Sequence, residues 1–318
     1  MKMLVTGAAG FIGFFLAKQL CAAGHEVVGI DNLNDYYAVS LKKARLQQLE
    51  VFSNFSFQHI DIADHKALAQ VFHEHCFDRV LHMAAQAGVR YSLEHPEVYV
   101  QSNLVGFSNL LECCRQHRIV HLLAASSSSV YGLNAKLPFA ETDNTDRPIS
   151  FYGATKKANE VLANSYSHLY QLPITMLRFF TVYGPWGRPD MAPYKFVDAV
   201  LQGKEIEVYN HGKQSRDFTY IDDVVEAVLQ LLDKIPAQCE IFNVGNSSPV
   251  QLMDFIEAVE NAAGKKAKLK MAPMQAGDVL QTFADVGKIK QATDWEPKTT
   301  VTEGMKYVVE WYKKYKEI

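Results

Sequence analysis

Residues 2–13 of the chain read KMLVTGAAGFIG, a short apolar run followed by closely spaced glycines. The run Lys2–Thr6 is typical of a buried strand, and the apolar pattern Phe11–Ala23, which Gly24 ends, is typical of a helix. The spacing G-x-x-G-x-x-G between them lets backbone approach a pyrophosphate at a helix amino end, where amide donors and the dipole favour an anion. We therefore predict a dinucleotide-binding turn with cofactor contacts at Gly7, Gly10, Phe11, Ile12 and Gly13.

An acidic residue, Asp31, ends the second predicted strand, 24 positions after Gly7. A carboxylate at this position accepts hydrogen bonds from the adenosine ribose and repels a 2′-phosphate, which favours NAD over NADP. The third and fourth strands end near two further pairs that we expect to contact the cofactor, Asp61-Ile62 and Ala84-Ala85. Each pattern alone also fits a plain tight turn or an ordinary strand terminus.

Short apolar runs alternate with longer amphipathic segments along most of the chain. The predicted strands are Lys2–Thr6, Glu26–Asp31, Phe55–Ile60, Asp78–Ala84, Ile119–Ala125, Pro173–Phe180 and Glu240–Val244. The predicted helices are Phe11–Ala23, Val98–His117, Tyr152–Leu172 and Val224–Leu232, the last capped by Asp222 or Asp223. This alternation predicts an α/β fold with a Rossmann-type doubly wound parallel sheet.

The alternation weakens in two places, Gly184–Arg216 and the chain after Asn246, which is mostly helical with Pro and Gly breaks. We predict that these form a smaller, mostly helical lobe beside the sheet. The expected domains are residues 1–180 plus 218–245 for the dinucleotide and residues 181–217 plus 246–318 for the substrate.

Composition excludes several classes of protein. The 32 basic and 35 acidic residues of the 318 give a net charge of −3, without the basic excess of a general nucleic-acid binder. The five cysteines form no C-x-x-C pair, so we predict no disulfide scaffold and no metal site, and a reducing compartment. The sequence shows no secretory signal and no membrane span, so we expect a soluble cytoplasmic protein.

Tyr152 and Lys156 form a Y-x-x-x-K pair, which lies on one face of the predicted helix about one turn apart. A neighbouring ammonium and an oxidised nicotinamide both favour the phenolate of such a tyrosine. A Y-x-x-x-K match on its own usually lies on the exposed face of a helix and has no catalytic role. Here the four serines 126–129 follow the fifth strand, and a hydroxyl there can hold a substrate oxygen beside Tyr152.

Four segments together resemble the extended short-chain dehydrogenase/reductase family: Thr6–Gly13, SSSSVYG at 126–132, Tyr152–Lys156, and RDFTYIDD at 216–223. More narrowly, DNLNDYY at 31–37, AAQAGVRYS at 84–92, LRFFTVYGPWGRPD at 177–190 and MQAGDV at 274–279 are similar to nucleotide-sugar epimerases acting on UDP-glucuronate. The resemblance implies a tightly held NAD that takes a hydride from sugar C4 while Tyr152 takes the hydroxyl proton. It also implies a homodimer through the helices near 98–117 and 152–172.

The resemblance assigns further residues by position. It implies that Ser127 completes the catalytic set and that Lys156 lowers the pKa of Tyr152 and binds the nicotinamide ribose. Arg216 matches a pyrophosphate-binding arginine, for which a surface ion pair with Asp217 or Asp222 is the alternative. The resemblance extends the cofactor set to Asn32 and Asn103 and the substrate set to Gln275 and Asp278. Neutral-sugar epimerases have asparagine at the position of Thr181 and arginine at that of Gln275.

Oxidation of a glucuronate at C4 produces a β-keto acid, which loses carbon dioxide easily. An epimerase must therefore hold the C5 carboxylate away from the alignment that feeds electrons into the ketone. Thr181 and Ser128, with Arg188 or Arg90, are candidates to bind this carboxylate by charge-assisted hydrogen bonds. The alternative for the two arginines is that they bind phosphate or order loops.

We therefore expect an enzyme that interconverts UDP-glucuronate and UDP-galacturonate. The alternatives are a UDP-glucuronate decarboxylase, a neutral UDP-hexose 4-epimerase, and a catalytically silent dinucleotide sensor. Decarboxylases of the family usually carry an acidic residue within Ser127–Ser129, and a sensor does not require the set Ser127, Tyr152 and Lys156.

Overall fold

The computed structural model describes residues 1–274 and 278–318. The strands are β1 Lys2–Thr6, β2 Glu26–Asp31, β3 Phe55–His59, β4 Arg79–His82, β5 His121–Ser127, β6 Ile174–Phe179, β7 Thr181–Tyr183, β8 Glu205–Val208, β9 Ser215–Tyr220, β10 Glu240–Val244, β11 Pro249–Gln251 and β12 Lys268–Met271. The helices are α1 Phe11–Ala22, α2 Val39–Leu49, α3 His65–Glu74, α4 Tyr91–Glu94, α5 Pro96–Tyr99, α6 Gly106–Gln116, α7 Phe151–Tyr170, α8 Ala192–Gln202, α9 Ile221–Leu232, α10 Leu252–Ala263, α11 Gly287–Thr293 and α12 Val301–Lys316. A π-helix spans Val100–Val105, and 3₁₀ turns span Ser128–Tyr131 and Tyr209–Gly212.

Seven parallel strands form the central sheet in the order β10-β6-β5-β4-β1-β2-β3. The chain starts at β1, winds outward through β2 and β3, and then returns to β4 on the other side of β1. This reversal opens a crevice at the carboxyl ends of β1 and β4, where α/β sheets of this kind bind ligands. The predicted doubly wound Rossmann-type sheet is confirmed.

Helices cover both faces of this sheet, which is why its strands are apolar throughout. In β1, Met3 and Val5 belong to the core on one face and Leu4 to the core on the other, and all three are fully buried. A strand buried on both sides reads as a continuous apolar run rather than an alternating one.

Several strand boundaries differ from the prediction by one or two residues, and the neighbouring strand sets the two that lie nearest the site. β4 ends at His82, two residues early, where its pairing partner β1 ends at Thr6. β5 continues to Ser127, two residues beyond the predicted end, because β6 pairs with it as far as Phe179. The first two of the four serines therefore lie in the strand itself.

Two helix predictions also need correction. α9 begins at Ile221 with Tyr220 as the N-cap, so Asp222 and Asp223 lie in its first turn and do not cap it. The predicted helix Val98–His117 is interrupted by the π-helix Val100–Val105, an extended turn that contains Asn103. Helical periodicity does not distinguish an inserted π turn from continuous α-helix.

The remaining elements lie beside the sheet's carboxyl edge. They include α8, α10 and α12 and two small sheets that the sequence did not predict, β11-β9-β7 and β12-β8. The division of the chain into a cofactor domain and a substrate domain stays a prediction. Within residues 1–274 and 278–318, no helix is both long enough and apolar enough to cross a lipid bilayer.

Candidate active site

The glycine turn after β1 is built by close backbone contacts that exclude side chains. Gly7 has φ +70°, and a Cβ there would lie 2.7 Å from the amide nitrogen of Ala84. A Cβ on Gly13 would lie 2.1 Å from the carbonyl oxygen of Gly7. Since the N-cap of α1 is Gly10, no side chain covers the first amides of the helix. The turn therefore has the open backbone and dipole that suit a diphosphate.

The next strand ends in a polar cluster at the same edge. The buried carboxylate of Asp31 accepts hydrogen bonds from the amides of Leu33 (2.8 Å) and Ala9 (3.2 Å). Burial raises the pKa of Asp31, and the nearby Lys42 ammonium opposes this rise. Asn32 donates to Oδ2 of Asp61 at 2.9 Å, which joins the loops after β2 and β3.

A cleft of 1130 Å³ runs from this cluster to the residues of β7, α8 and β9. Most of the residues predicted for the site line it: Gly7, Gly10, Phe11, Ile12, Gly13, Asp31, Asn32, Asp61, Ile62, Ala84, Ala85, Arg90, Ser127, Ser128, Tyr152, Lys156, Thr181, Arg188, Arg216 and Asp278. The fold thus brings residues that are 120 or more positions apart in the sequence, such as Gly7 and Ser127, into one cavity. Asn103 does not line it, and Gln275 lies outside the described residues.

Ser127, Tyr152 and Lys156 meet where β5 ends and α7 begins. Ser127 caps the 3₁₀ turn by accepting from the amide of Ser129 at 3.1 Å. Gly153 brings the start of α7 against this turn, since a Cβ there would lie 2.7 Å from the carbonyl oxygen of Ser129. Lys156 is buried and donates from Nζ to the carbonyl oxygen of Ala125 at 2.9 Å.

Opposing electrostatic effects act on the phenol of Tyr152, and the net shift of its pKa is upward. Burial raises the pKa of the Tyr152 phenol, while the charge of Arg188 and the hydroxyl of Ser127 oppose that rise. Burial also lowers the pKa of Lys156 to about 8. The phenol thus lies among a cation and a hydroxyl that stabilise its ionised form, as a general base requires.

Asn103 does not line the cleft, but its side-chain amide stabilises the residues that do. Its amide accepts from the backbone nitrogen of Gln86 at 2.8 Å and donates to the carbonyl oxygen of Gln86 at 3.0 Å. It also donates to Oγ1 of Thr155 at 3.0 Å, next to Lys156 in α7. The π-helix therefore places an amide that joins the segment after β4 to the helix of Tyr152.

Polar and charged side chains surround the other end of the cleft. Thr181 opens β7, and Arg188 forms a two-bond ion pair with Asp190 at 3.0 and 2.5 Å. Arg90 pairs with Asp278 at 3.2 Å and lies over the ring of Tyr209. The cleft thus offers two arginines, each already oriented by a carboxylate.

Arg216 is oriented by backbone and not by an aspartate. It donates from Nη1 to the carbonyl oxygens of Ser215 (3.0 Å) and Leu280 (3.2 Å). The carboxylate of Asp217 instead accepts from the amides of Asn246, Ser247 and Ala284. In the described part of the chain, Arg216 and Asp217 thus bond to backbone groups, and the charges near Asp222 are those of Asp223 and Lys18, so the structure does not form the surface ion pair given as the alternative.

Several residues of the cleft were not predicted from the sequence. They are Tyr36, Lys42, Asp190, Tyr209 and Gln214. Lys42 and the fully buried Arg45 are one turn apart on α2, and charged side chains are seldom buried without a specific partner. Only the structure shows that they are buried. Lys42 donates to Asn34 at 2.8 Å beside Asp31.

Comparison with known proteins gives consistent matches over the whole chain. The GDP-mannose 4,6 dehydratase family matches residues 4–308. A probable UDP-glucuronate 4-epimerase of Rhizobium meliloti is 46% identical, over 98% of this chain and 97% of its own length.

Solved structures of epimerases resemble this chain over nearly its whole length. A UDP-glucuronic acid 4-epimerase from Bacillus cereus, in complex with UDP-glucuronic acid and NAD, matches with a TM-score of 0.94 and 34% identity, over 99% of this chain and 100% of that one. A UDP-glucose 4-epimerase from Thermotoga maritima with UDP-glucose matches with a TM-score of 0.91 and 31% identity, over 99% of each chain.

Proposed function

We propose that this chain, which belongs to the GDP-mannose 4,6 dehydratase family, is an NAD-dependent enzyme that epimerises UDP-glucuronate at C4 to UDP-galacturonate. One observation carries the proposal: the glycine turn, Tyr152 and the carboxylate-binding candidates Thr181 and Arg188 line the same cleft. A dinucleotide seated at the turn and a charged sugar seated by Arg188 would both reach Tyr152.

The residues at the turn fit NAD. The backbone packs so closely at Gly7 and Gly13 that no side chain fits there. Because the N-cap is Gly10, no capping side chain bonds the first amides of α1, as a diphosphate requires. Asp31 would hold the adenosine ribose, with Asn32, Asp61 and Ile62 beside it, and Ala84 and Ala85 would contact the cofactor along the next strand. When bound, NAD supplies an acceptor for the C4 hydride and returns it to the sugar.

The protein's own side chains carry out the proton chemistry. Tyr152 takes the proton of the C4 hydroxyl as C4 becomes a ketone, and Ser127 hydrogen-bonds the same oxygen. Arg188 and Lys156 supply positive charge that favours the phenolate. After the sugar has presented its other face, Tyr152 returns the proton and completes the epimer.

The polar end of the cleft protects the intermediate from decarboxylation. Arg188, Thr181 and Ser128 bind the C5 carboxylate by charge-assisted hydrogen bonds and keep it out of alignment with the ketone. Arg216 and Arg90 bind the diphosphate, and Asp278 orients Arg90 through their ion pair. Gln275 stays a predicted substrate residue and lies outside the described residues.

The protein is proposed to be a homodimer in the cytoplasm. Apolar side chains of α7 are unusually exposed, with Val161 at 58%, Leu169 at 63% and Tyr170 at 47%. A second copy packing on this face would bury them. The five free cysteines suit a reducing compartment.

The test is incubation of the purified protein with UDP-glucuronate and no added NAD, followed by separation of the nucleotide sugars. We expect a mixture of UDP-glucuronate and UDP-galacturonate. Mostly UDP-pentose would indicate a decarboxylase, turnover of UDP-glucose alone a neutral-sugar epimerase, and no turnover of either sugar a silent sensor.

A further inference from the structure

Three polar side chains connect the loop that follows β2 to the loop that follows β7. The hydroxyl of Tyr36 donates to Oδ2 of Asp190 at 3.1 Å, across 154 positions of sequence. Asp190 in turn accepts from Nε of Arg188 at 3.0 Å and from Nη2 at 2.5 Å. A residue of the cofactor side thus contacts the ion pair on the substrate side.

The contact of Tyr36 is built into the backbone around it. Gly88 has φ +104°, and a Cβ there would lie 2.4 Å from the Tyr36 hydroxyl oxygen. The ring of Tyr36 packs on that of Tyr91 with centroids 4.8 Å apart. Glycine at position 88 is therefore needed for the hydroxyl to reach Asp190.

The buried guanidinium of Arg45 fixes the backbone just before Arg188. Arg45 is fully buried and donates to the carbonyl oxygen of Trp186 at 3.1 and 2.6 Å. Its other nitrogen donates to the carbonyl oxygen of Ala9 in the glycine turn at 2.8 Å and to the hydroxyl of Tyr37 at 2.7 Å. The backbone of the substrate loop is thus tied to the nucleotide turn.

The ion pair with Asp190 determines which edge of the Arg188 guanidinium can bind a substrate carboxylate. The pair with Asp190 occupies Nε and one proton of Nη2, so the edge formed by Nη1 and Nη2 is the one that can bind a second carboxylate. Arg188 and Tyr152 line the same cleft, and the guanidinium charge acts on the phenol of Tyr152.

We propose that Tyr36 and Asp190 are positioning residues that aim Arg188 at the C5 carboxylate, so that Tyr36 determines selectivity for charged over neutral UDP-sugars. The inference rests on the proposed function, because it takes the substrate to be a UDP-uronate. It adds a residue of the cofactor loop to the substrate specificity of the enzyme.

The test measures binding separately from turnover. Tyr36→Phe and Asp190→Asn are each combined with Tyr152→Phe, and the dissociation constants of UDP-glucuronate and UDP-glucose are measured by calorimetry on the NAD-loaded proteins. Tyr307→Phe is the matched control, because it removes a hydroxyl that donates to a carboxylate, Glu303, on the exposed face of α12. Melting temperature and bound NAD are recorded for each variant.

We expect Tyr36→Phe to weaken UDP-glucuronate about fivefold, the usual effect of one hydrogen bond, while UDP-glucose changes less than twofold. Asp190→Asn should act in the same direction and more strongly, and Tyr307→Phe should change neither constant. Equal weakening of both sugars, or no change in either variant, would overturn the inference, as would a parent protein that binds both sugars equally well.

A separate experiment tests the proposed function. The parent enzyme with Tyr152 intact is incubated with UDP-glucuronate, and its products are separated. If it releases pentose instead of the epimer, the proposed function fails while the binding comparison still decides the role of Tyr36.

Discussion

Lys156 donates a 2.9 Å hydrogen bond from Nζ to the carbonyl oxygen of Ala125, two residues before Ser127. The bond joins α7 to the end of β5, so it fixes the helix of Tyr152 against the strand of Ser127. It also holds a buried ammonium, whose pKa burial lowers to about 8, inside the cleft.

Lys156→Met should therefore lower both NAD retention and turnover. The methionine fills the space but removes the bond to Ala125 and the donor that we assign to the nicotinamide ribose. Nicotinamide released by acid extraction measures retention, and Lys156→Arg should keep part of it. A Lys156→Met enzyme with full NAD content and full kcat would contradict both roles.

Tyr152→Phe should leave the fold and NAD content intact while turnover falls about 10²–10⁴-fold, the usual range of general acid–base catalysis. The ring still packs, and only the proton acceptor is lost. Turnover of UDP-glucuronate is the measurement, with the melting temperature as control. More than about a tenth of the parent rate would mean that another residue is the base.

Arg188→Gln should move the pH dependence of kcat to higher pH. The reaction needs Tyr152 ionised, and the charge of Arg188 opposes the rise in the pKa of Tyr152 that burial causes. Without that charge the pKa rises further, so half-maximal kcat is reached at a pH about one unit higher or more.

The control for this shift is Arg90→Gln. Arg90 is a second cation of the cleft, but it pairs with Asp278, and its side chain is 50% exposed. It should weaken substrate binding without moving the midpoint. Equal shifts in the two variants would show that the effect is not specific to Arg188.

Thr181→Ala should slow epimerisation and release some UDP-pentose. Loss of one hydrogen bond to a charged group costs about 1.5–3 kcal/mol and lets the C5 carboxylate rotate toward alignment with the ketone. Epimer and pentose are quantified from one reaction, and UDP-glucose serves as the substrate without a carboxylate. Equal slowing on both sugars with no pentose would refute a carboxylate role for Thr181.

Arg178→Met should destabilise the protein by about 3–5 kcal/mol, because it leaves the buried Glu160 carboxylate without its ion-pair partner. Arg178 donates to Glu160 at 2.8 and 2.9 Å, and both side chains are only 2% exposed. Denaturant unfolding measures the loss, and the double variant with Glu160→Met should recover much of it. A double variant as unstable as Arg178→Met would contradict this account.

The sequence alone was sufficient wherever the determining interactions are local. The run Lys2–Thr6, the glycine spacing and the helix from Phe11 were predicted to within one residue, because hydrophobic periodicity and backbone sterics act over a few positions. The pair Tyr152 and Lys156 is of the same kind, since one helix turn brings the two side chains to one face.

Only the tertiary structure decided which polar groups meet across the cleft. Tyr36 in the loop after β2 contacts Asp190, and Arg45 on α2 contacts Trp186, because these segments and the loop after β7 pack against one another. A tyrosine hydroxyl and a carboxylate also form an ordinary surface contact, between Tyr307 and Glu303. Local periodicity carries no information about such long-range hydrogen bonds, because their geometry exists only after the sheet has brought distant segments together.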